Sequence, residues 1–197
     1  MKKRIAFFDF DGTITTKDTL LEIIKYQKGK ARYYFGLLLC SPALLAYKLK
    51  WVSGHWTKRV VLGFFFKNTS YLDFQAKCDQ FANSVLPEMI RPKALHEFRQ
   101  LADMGAETVI VTASSPAWIR KWSDPMRISV IGTNLAVHEG KMTGAIDGRN
   151  CNGLEKVNRI KSAYDLSLYD EIYVYGDTSR DKPMMSISTI RFMKPFR

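Results

Sequence analysis

A run of apolar residues that ends in two carboxylates, FFDFDGT at positions 7 to 13, limits this chain more than any other stretch. The segment Arg4-Ile5-Ala6-Phe7-Phe8 shows no alternation of polar and apolar residues, as expected of a strand buried on both faces of a parallel sheet. Asp9 and Asp11 follow at once, and an unpaired buried carboxylate either costs several kcal/mol or gives up its charge. The strand must therefore end at solvent or beside something positive.

Three further segments read the same way. ETVIVTAS (107 to 114) follows the helical pattern RPKALHEFRQLADMG, which stops at Gly105, and EIYVYGDT (171 to 178) follows the helix-like EKVNRIKSAYDLS. STIRFM comes near the end, and residues 128 to 147, broken at Glu139-Gly140, predict a strand and a hairpin. Helices alternating with short buried strands predict an α/β fold with an open, mainly parallel sheet, whose ligands bind beyond the carboxyl ends of the strands. Asp9, Thr112 and Asp177 stand at those ends.

Between the first strand and ETVIVTAS lie about ninety residues, more than one crossover needs. The reading is a helical cap at 17–87 inserted into a core made of 1–16 and 88–197. The cap segment holds 11 Lys and Arg against 4 Asp and Glu in a chain of net charge +11, and it is rich in aromatics such as Tyr33-Tyr34-Phe35 and Phe64-Phe65-Phe66. A basic, aromatic surface facing an anionic partner fits this pattern. A small helical core with solvated lysines fits it as well.

FGLLLCSPALLAY (35 to 47) is shorter than the roughly 20 residues a spanning helix needs, and Ser41-Pro42 predicts the start of a second short helix. The first residues lack the order of a signal peptide. Cys40, Cys78 and Cys151 are odd in number and far apart, which argues against a disulfide framework or a zinc site. The expectation is a cytoplasmic protein.

Taken alone, D-x-D is weak, because unrelated enzymes also pair aspartates around a metal. Gly12 narrows the choice, since a glycine lets backbone N–H groups approach an anion. YGDTSRD supplies a second acidic pair, Asp177 and Asp181, and two such pairs at neighbouring strand ends suit Mg²⁺. Lys156 lies near a predicted helix start and could return positive charge to the strand mouth. Thr112 offers a hydroxyl, with the Ala113 N–H beside it, to a phosphate oxygen. Singly, Lys156 reads as a surface lysine and Thr112 as a strand residue. His55, His96 and His138 are isolated, and Trp118 with Trp122 reads first as a packed face, with a pocket-wall role left open by their position just after Thr112.

In this order, DFDGT, VIVTAS, Lys156 and GDTSRD resemble the haloacid dehalogenase superfamily, mostly phosphatases on a Rossmann-like core. The insertion and the run around IGTNLAVHEGKMTGAIDG are similar to the subfamily that includes phosphoserine phosphatase. The resemblance implies an enzyme in which Asp9 attacks phosphorus to form an aspartyl-phosphate, while Asp11 acts as acid and then base. It implies Mg²⁺ held by Asp9, the Asp11 carbonyl, Asp177 and Asp181, with Thr112, Ala113, Lys156 and Gly12 around the phosphoryl group.

The chain departs from that subfamily at three positions. Arg180 stands at a metal-motif position where phosphoserine phosphatases have Asn, Asp18 stands for a Glu that meets the substrate amine, and Thr57, beside Lys58, stands for a carboxylate-binding Arg. Phosphoserine is thereby weakened as a substrate. The cap is also similar to that of phosphatidylglycerophosphatase-like relatives, so the expected partner is a phosphorylated small molecule or a phospholipid, with peripheral contact to an anionic membrane and no nucleic acid. The competing reading from another class is a basic membrane-surface or nucleic-acid binding module that keeps the fold.

Overall fold

The computed structural model describes residues 2–197. Its centre is β1 (Arg4–Phe8), where Ile5 to Phe8 are fully buried because the strand is covered on both faces and paired on both edges. Helices α1 (Thr19–Lys28), α2 (Lys30–Lys48), α3 (Gly54–Phe66) and α4 (Tyr71–Ser84) follow, then α5 (Leu86–Met89) and α6 (Pro92–Asp103). After these come β2 (Glu107–Val111), α7 (Arg120–Ser123), β3 (Ser129–Ile131) and a hairpin of β4 (Leu135–His138) and β5 (Lys141–Ile146). The chain ends with α8 (Leu154–Ala163), β6 (Glu171–Gly176), α9 (Lys182–Met185) and β7 (Ile190–Met193).

Five strands form one parallel sheet in the order β3-β2-β1-β6-β7. The order runs one way from β1 through β2 to β3 and the other way through β6 to β7, so the crevice between β1 and β6 is the topological switch point. Asp9 follows β1 and Asp177 follows β6 at the two lips of that crevice. The predicted α/β architecture is the one observed.

Alternate residues of β1 feed different cores. Ile5 and Phe7 pack with Val109, Val111 and Ile160 on one face, whereas Ala6 and Phe8 join Ile110, Tyr175 and Phe98 on the other. Register sets Phe8 beside Tyr175 and Tyr175 beside Phe192, and their rings stack at 4.1 and 4.8 Å across three strands. Helix α6 covers them, burying Ala94, Phe98 and Leu101 at i, i+4, i+7 and accepting the Tyr175 hydroxyl on Glu97 at 2.6 Å.

The chain leaves the sheet and returns to it at one place, an antiparallel bridge between Thr15 and Ile90, with the Arg91 N–H donating to the Ile14 carbonyl at 2.9 Å. Between these points lie α1 to α4. The hairpin reaches the same helices: the Asn68 N–H donates to the Met142 carbonyl at 2.8 Å.

One expectation fails here. Residues 30 to 48 form a single helix with Pro42 inside it, not two helices divided at Ser41-Pro42. Pro42 cannot donate to the carbonyl of Leu38 four residues back, and the Ser41 hydroxyl takes that acceptor at 2.7 Å. Gly36 allows α2 to lie close against α3, since a Cβ there would collide with the rings of Phe64 and Phe65.

Candidate active site

At the switch point three carboxylates converge. Asp9, Asp177 and Asp181 each direct an oxygen into one cluster, with these atoms within 4.8 Å of one another. Lys156, in the first turn of α8 and 1% exposed, supplies the counter-charge, its Nζ lying 2.5 Å from Asp9 Oδ1 and 2.7 Å from Asp181 Oδ1. The other Asp181 oxygen accepts from the Asp177 and Thr178 N–H groups and the Thr178 hydroxyl, a capping box that fixes the loop after β6. Thr13 Oγ1 donates to Asp9 Oδ2 at 3.1 Å.

These contacts set the ionisation balance. Burial pushes the Asp9 carboxyl up to about 6, against the pull of the Lys156 charge. Burial works against Asp181 too, but Lys156 and the Thr178 donors outweigh it and hold Asp181 below the ordinary carboxylate value. For Lys156 burial is outweighed in turn by the charges of Asp9 and Asp181, and the amine sits above its usual value.

Asp177 Oδ1 is buried without a hydrogen-bond partner, while Oδ2 accepts from Arg197 at 2.6 Å. An orphan carboxylate oxygen beside two more carboxylates is a donor set suited to a hard divalent cation such as Mg²⁺.

Asp11 is held otherwise. Its Oδ1 accepts from the N–H and the hydroxyl of Thr19, both at 2.7 Å, and its Oδ2 accepts from the Ser114 hydroxyl at 2.6 Å. Behind Thr19 stands the fully buried Trp118, whose indole N–H donates to the Thr19 hydroxyl at 3.1 Å. The packed-face reading of Trp118 fits this position.

A cavity of about 470 Å³ opens over these groups, lined by Asp9, Asp11, Thr112, Ala113, Lys156, Asp177 and Asp181 on the sheet side. Asp18, Thr57 and Lys58 line it from the helical side, with Leu20, Leu37, Leu44 and Val61 as apolar wall. None of the three histidines lines it. Thr112 is buried just past β2 and its Oγ1 accepts from the Ser114 N–H at 2.9 Å, which fixes the loop below the cavity.

The Gly12 N–H donates to Thr15 Oγ1 at 3.2 Å. What demands glycine is a φ of 85° together with Asp177, whose Oδ2 would lie 2.8 Å from any Cβ.

On the helical side, Lys58 Nζ donates to the Ala113 carbonyl at 2.5 Å, tying α3 to the loop after β2. Burial lowers the Lys58 amine, against the charges of Asp11 and Asp18. The Thr57 hydroxyl turns back to the Ser53 carbonyl at 3.1 Å. Asp18 caps α1, accepting the Leu21 N–H at 3.1 Å. Solvent reaches its carboxylate through the cavity mouth, yet the surrounding protein and the nearby Asp11 charge push it up to about 6.

Arg180 lines the same cavity and is engaged by α2. Its guanidinium bonds the Tyr47 hydroxyl of α2 and lies 5.4 Å from the centre of that ring. Thr19, Ser114 and Arg197, which contact the acids directly, escaped the sequence reading. Nothing in the spacing of a Ser114 hydroxyl 103 residues from Asp11, or of an arginine 20 residues from Asp177, signals such a contact.

Comparison with known proteins fits this arrangement. A model of the haloacid dehalogenase-like hydrolases matches residues 6–186. Protein CicA of Caulobacter vibrioides (strain NA1000 / CB15N) is 34% identical over 197 residues, covering 98% of this chain and 86% of that protein. A crystal structure of a protein with unknown function from Bordetella pertussis Tohama I shares the fold at a TM-score of 0.82 and 20% identity, covering 97% of this chain and 89% of that one. A substrate-bound phosphoserine phosphatase complex does so at 0.66 and 16% identity, covering 98% and 86%. With the family match running through the first strand, the helical insertion and the loop after β6, the chain belongs to the haloacid dehalogenase-like hydrolase family.

Proposed function

We propose that this protein is a Mg²⁺-dependent phosphomonoesterase that works through an aspartyl-phosphate on Asp9. The observation that carries the reading is the buried Lys156 bridging Asp9 and Asp181 beside the orphan oxygen of Asp177. This is a site built to bring a carboxylate and a phosphate together. Repulsion between two unit charges 4 Å apart is on the order of 4 kcal/mol at an effective dielectric near 20, so a carboxylate attacks a phosphate only with compensating positive charge.

Lys156 provides part of that charge and keeps Asp9 oriented. Asp9, Asp177 and Asp181, with the Asp11 carbonyl, would hold Mg²⁺, which when bound supplies Lewis-acid neutralisation of the phosphoryl oxygens. In the proposed sequence the Asp9 carboxylate forms a bond to phosphorus as the ester oxygen leaves with a proton from Asp11. Asp11 then takes a proton from the water that attacks phosphorus and releases Asp9. Thr19 and Ser114 aim Asp11, and Thr112 and Ala113 face the phosphoryl group.

In the domain division we propose, 17–87 is a cap that closes the cavity over a core of 1–16 and 88–197. Phosphoserine is disfavoured: the Thr57 hydroxyl is engaged by its own helix, and Lys58 is engaged with the Ala113 carbonyl. The apolar wall of Leu20, Leu37, Leu44 and Val61 better suits an ester whose leaving group is partly apolar. The substrate class we propose is a small organic phosphate or a phospholipid phosphate, the latter met at an anionic membrane surface.

The test is turnover of a generic aryl phosphate with and without Mg²⁺, in the wild type and in Asp9→Asn. Turnover should need Mg²⁺ and vanish in the variant while its circular dichroism is retained. An Asp9→Asn protein as active as the wild type would overturn the mechanism. A panel of phosphoserine, sugar phosphates, nucleotides and lysophospholipid phosphates then ranks substrates.

A further inference from the structure

Helix α2 is built inside out. The residues it buries are small, Gly36, Cys40 and Ala43, while the face it shows to solvent carries Tyr34, Phe35, Leu38, Leu39 and Leu45, continued by Leu49 just past its end, all between 48% and 68% exposed. A helix packed on a soluble domain ordinarily does the opposite, hiding its large apolar side chains. Scattered exposed leucines need no explanation, but a continuous stripe over four turns of one helix marks a surface made to be covered.

Charge identifies the cover. From Lys28 to Lys67 the chain carries eight Lys and Arg and no Asp or Glu. Lys30 and Arg32 lie at one end of the apolar stripe, and Lys48 and Lys50 lie at the other beside Trp51, which is 79% exposed. A second copy seated on this face would bring cations against cations with no carboxylate from the segment to pair them. An anionic bilayer satisfies both features, since apolar side chains enter the acyl boundary while Lys and Arg meet lipid phosphates and Trp and Tyr settle at the headgroup level. No helix among the described residues is long and apolar enough to cross a membrane, so α2 would lie in the plane of the interface.

We infer that the outer face of α2, with its flanking lysines and Trp51, docks this protein on anionic membrane surfaces. The inference deepens the membrane part of the reading above. The same helix turns Leu37, Leu44 and Tyr47 toward the catalytic cavity, so docking sets the cavity mouth at the lipid surface.

Co-sedimentation with vesicles tests this. Phosphatidylcholine vesicles containing about 30% phosphatidylglycerol should pellet the wild type at about 0.05 M NaCl and release much of it at about 0.5 M, while pure phosphatidylcholine should pellet little. The double variant Leu38→Glu/Leu45→Glu should lose at least tenfold in vesicle partition while keeping the melting temperature and aryl phosphate turnover. Lys48→Glu/Lys50→Glu should lose most of the salt-sensitive part.

Absence of wild-type binding at low salt would overturn the inference, as would glutamate variants that bind like the wild type. So would a concentration-dependent dimer abolished by Leu38→Glu/Leu45→Glu, because the cover would then be a second copy. Binding is read without turnover. An inactive protein that still binds supports the surface and counts instead against the phosphatase reading.

Discussion

The Nζ of Lys156 stands 2.5 Å from Asp9 and 2.7 Å from Asp181, three groups from three distant parts of the chain joined in one buried ion cluster. Breaking a buried charge pair by removing one member costs about 3 to 5 kcal/mol, because the partner is left uncompensated. Lys156→Met is expected to lower stability by about that amount at pH 7.5. Protonation of the two stranded carboxylates relieves the penalty, so the loss should shrink toward pH 5. Urea unfolding at the two pH values reads this, and aryl phosphate turnover should fall by about 10² or more.

Asp177 presents an unpartnered oxygen to the acidic cluster, and a cation bound there stabilises the native state by mass action. Mg²⁺ at about 100 times its dissociation constant should add about 2.7 kcal/mol to wild-type stability. Calorimetry in EDTA and in excess Mg²⁺ should show that shift in the wild type and little or none in Asp177→Asn. An undiminished shift in the variant would place the cation elsewhere.

Gly12 meets two demands at once, a left-handed φ of 85° and close approach to Asp177. Gly12→Ala should cost roughly 1 to 2 kcal/mol from the backbone alone. It should also weaken the Mg²⁺-dependent rise in melting temperature, because the new methyl displaces Asp177. A variant that is destabilised yet keeps the full Mg²⁺ response would separate strain from the metal site.

Asp18 is raised to about 6 in the folded protein by desolvation and by the charge of Asp11. A carboxyl raised on folding binds its proton more tightly in the native state, so its ionisation weakens the fold as pH climbs from about 4 through 6. Asp18→Asn keeps a good helix cap and removes the charge. The variant should match the wild type near pH 4 and be more stable at pH 7, by less than about 1 kcal/mol because solvent at the cavity mouth screens the group. Melting temperatures across that range check the sign.

The strand ends were readable because a strand buried on both faces must be apolar throughout, which leaves Asp9, Thr112 and Asp177 conspicuous where the apolar run stops. Lys156 was readable only through resemblance, since one lysine at a helix start is unremarkable by itself. The hydroxyls of Thr19 and Ser114 were not readable, because their pairing with Asp11 depends on how the helices fold back over the sheet. Ser41-Pro42 misled for a local reason: the pair is a good helix start, and only the folded helix shows the serine serving the carbonyl that proline leaves free. The inverted faces of α2 were hidden too, as a run of leucines does not say which side the rest of the chain will cover.

The contact between Arg180 and Tyr47 joins the loop that carries Asp181 to the helix that faces outward. A displacement of α2 away from the sheet would break that contact, while Asp181 keeps its own anchors in Lys156 and the Thr178 donors. The loop that carries Asp181 is thus fastened twice, to the buried core through Lys156 and to the outward-facing helix through Arg180.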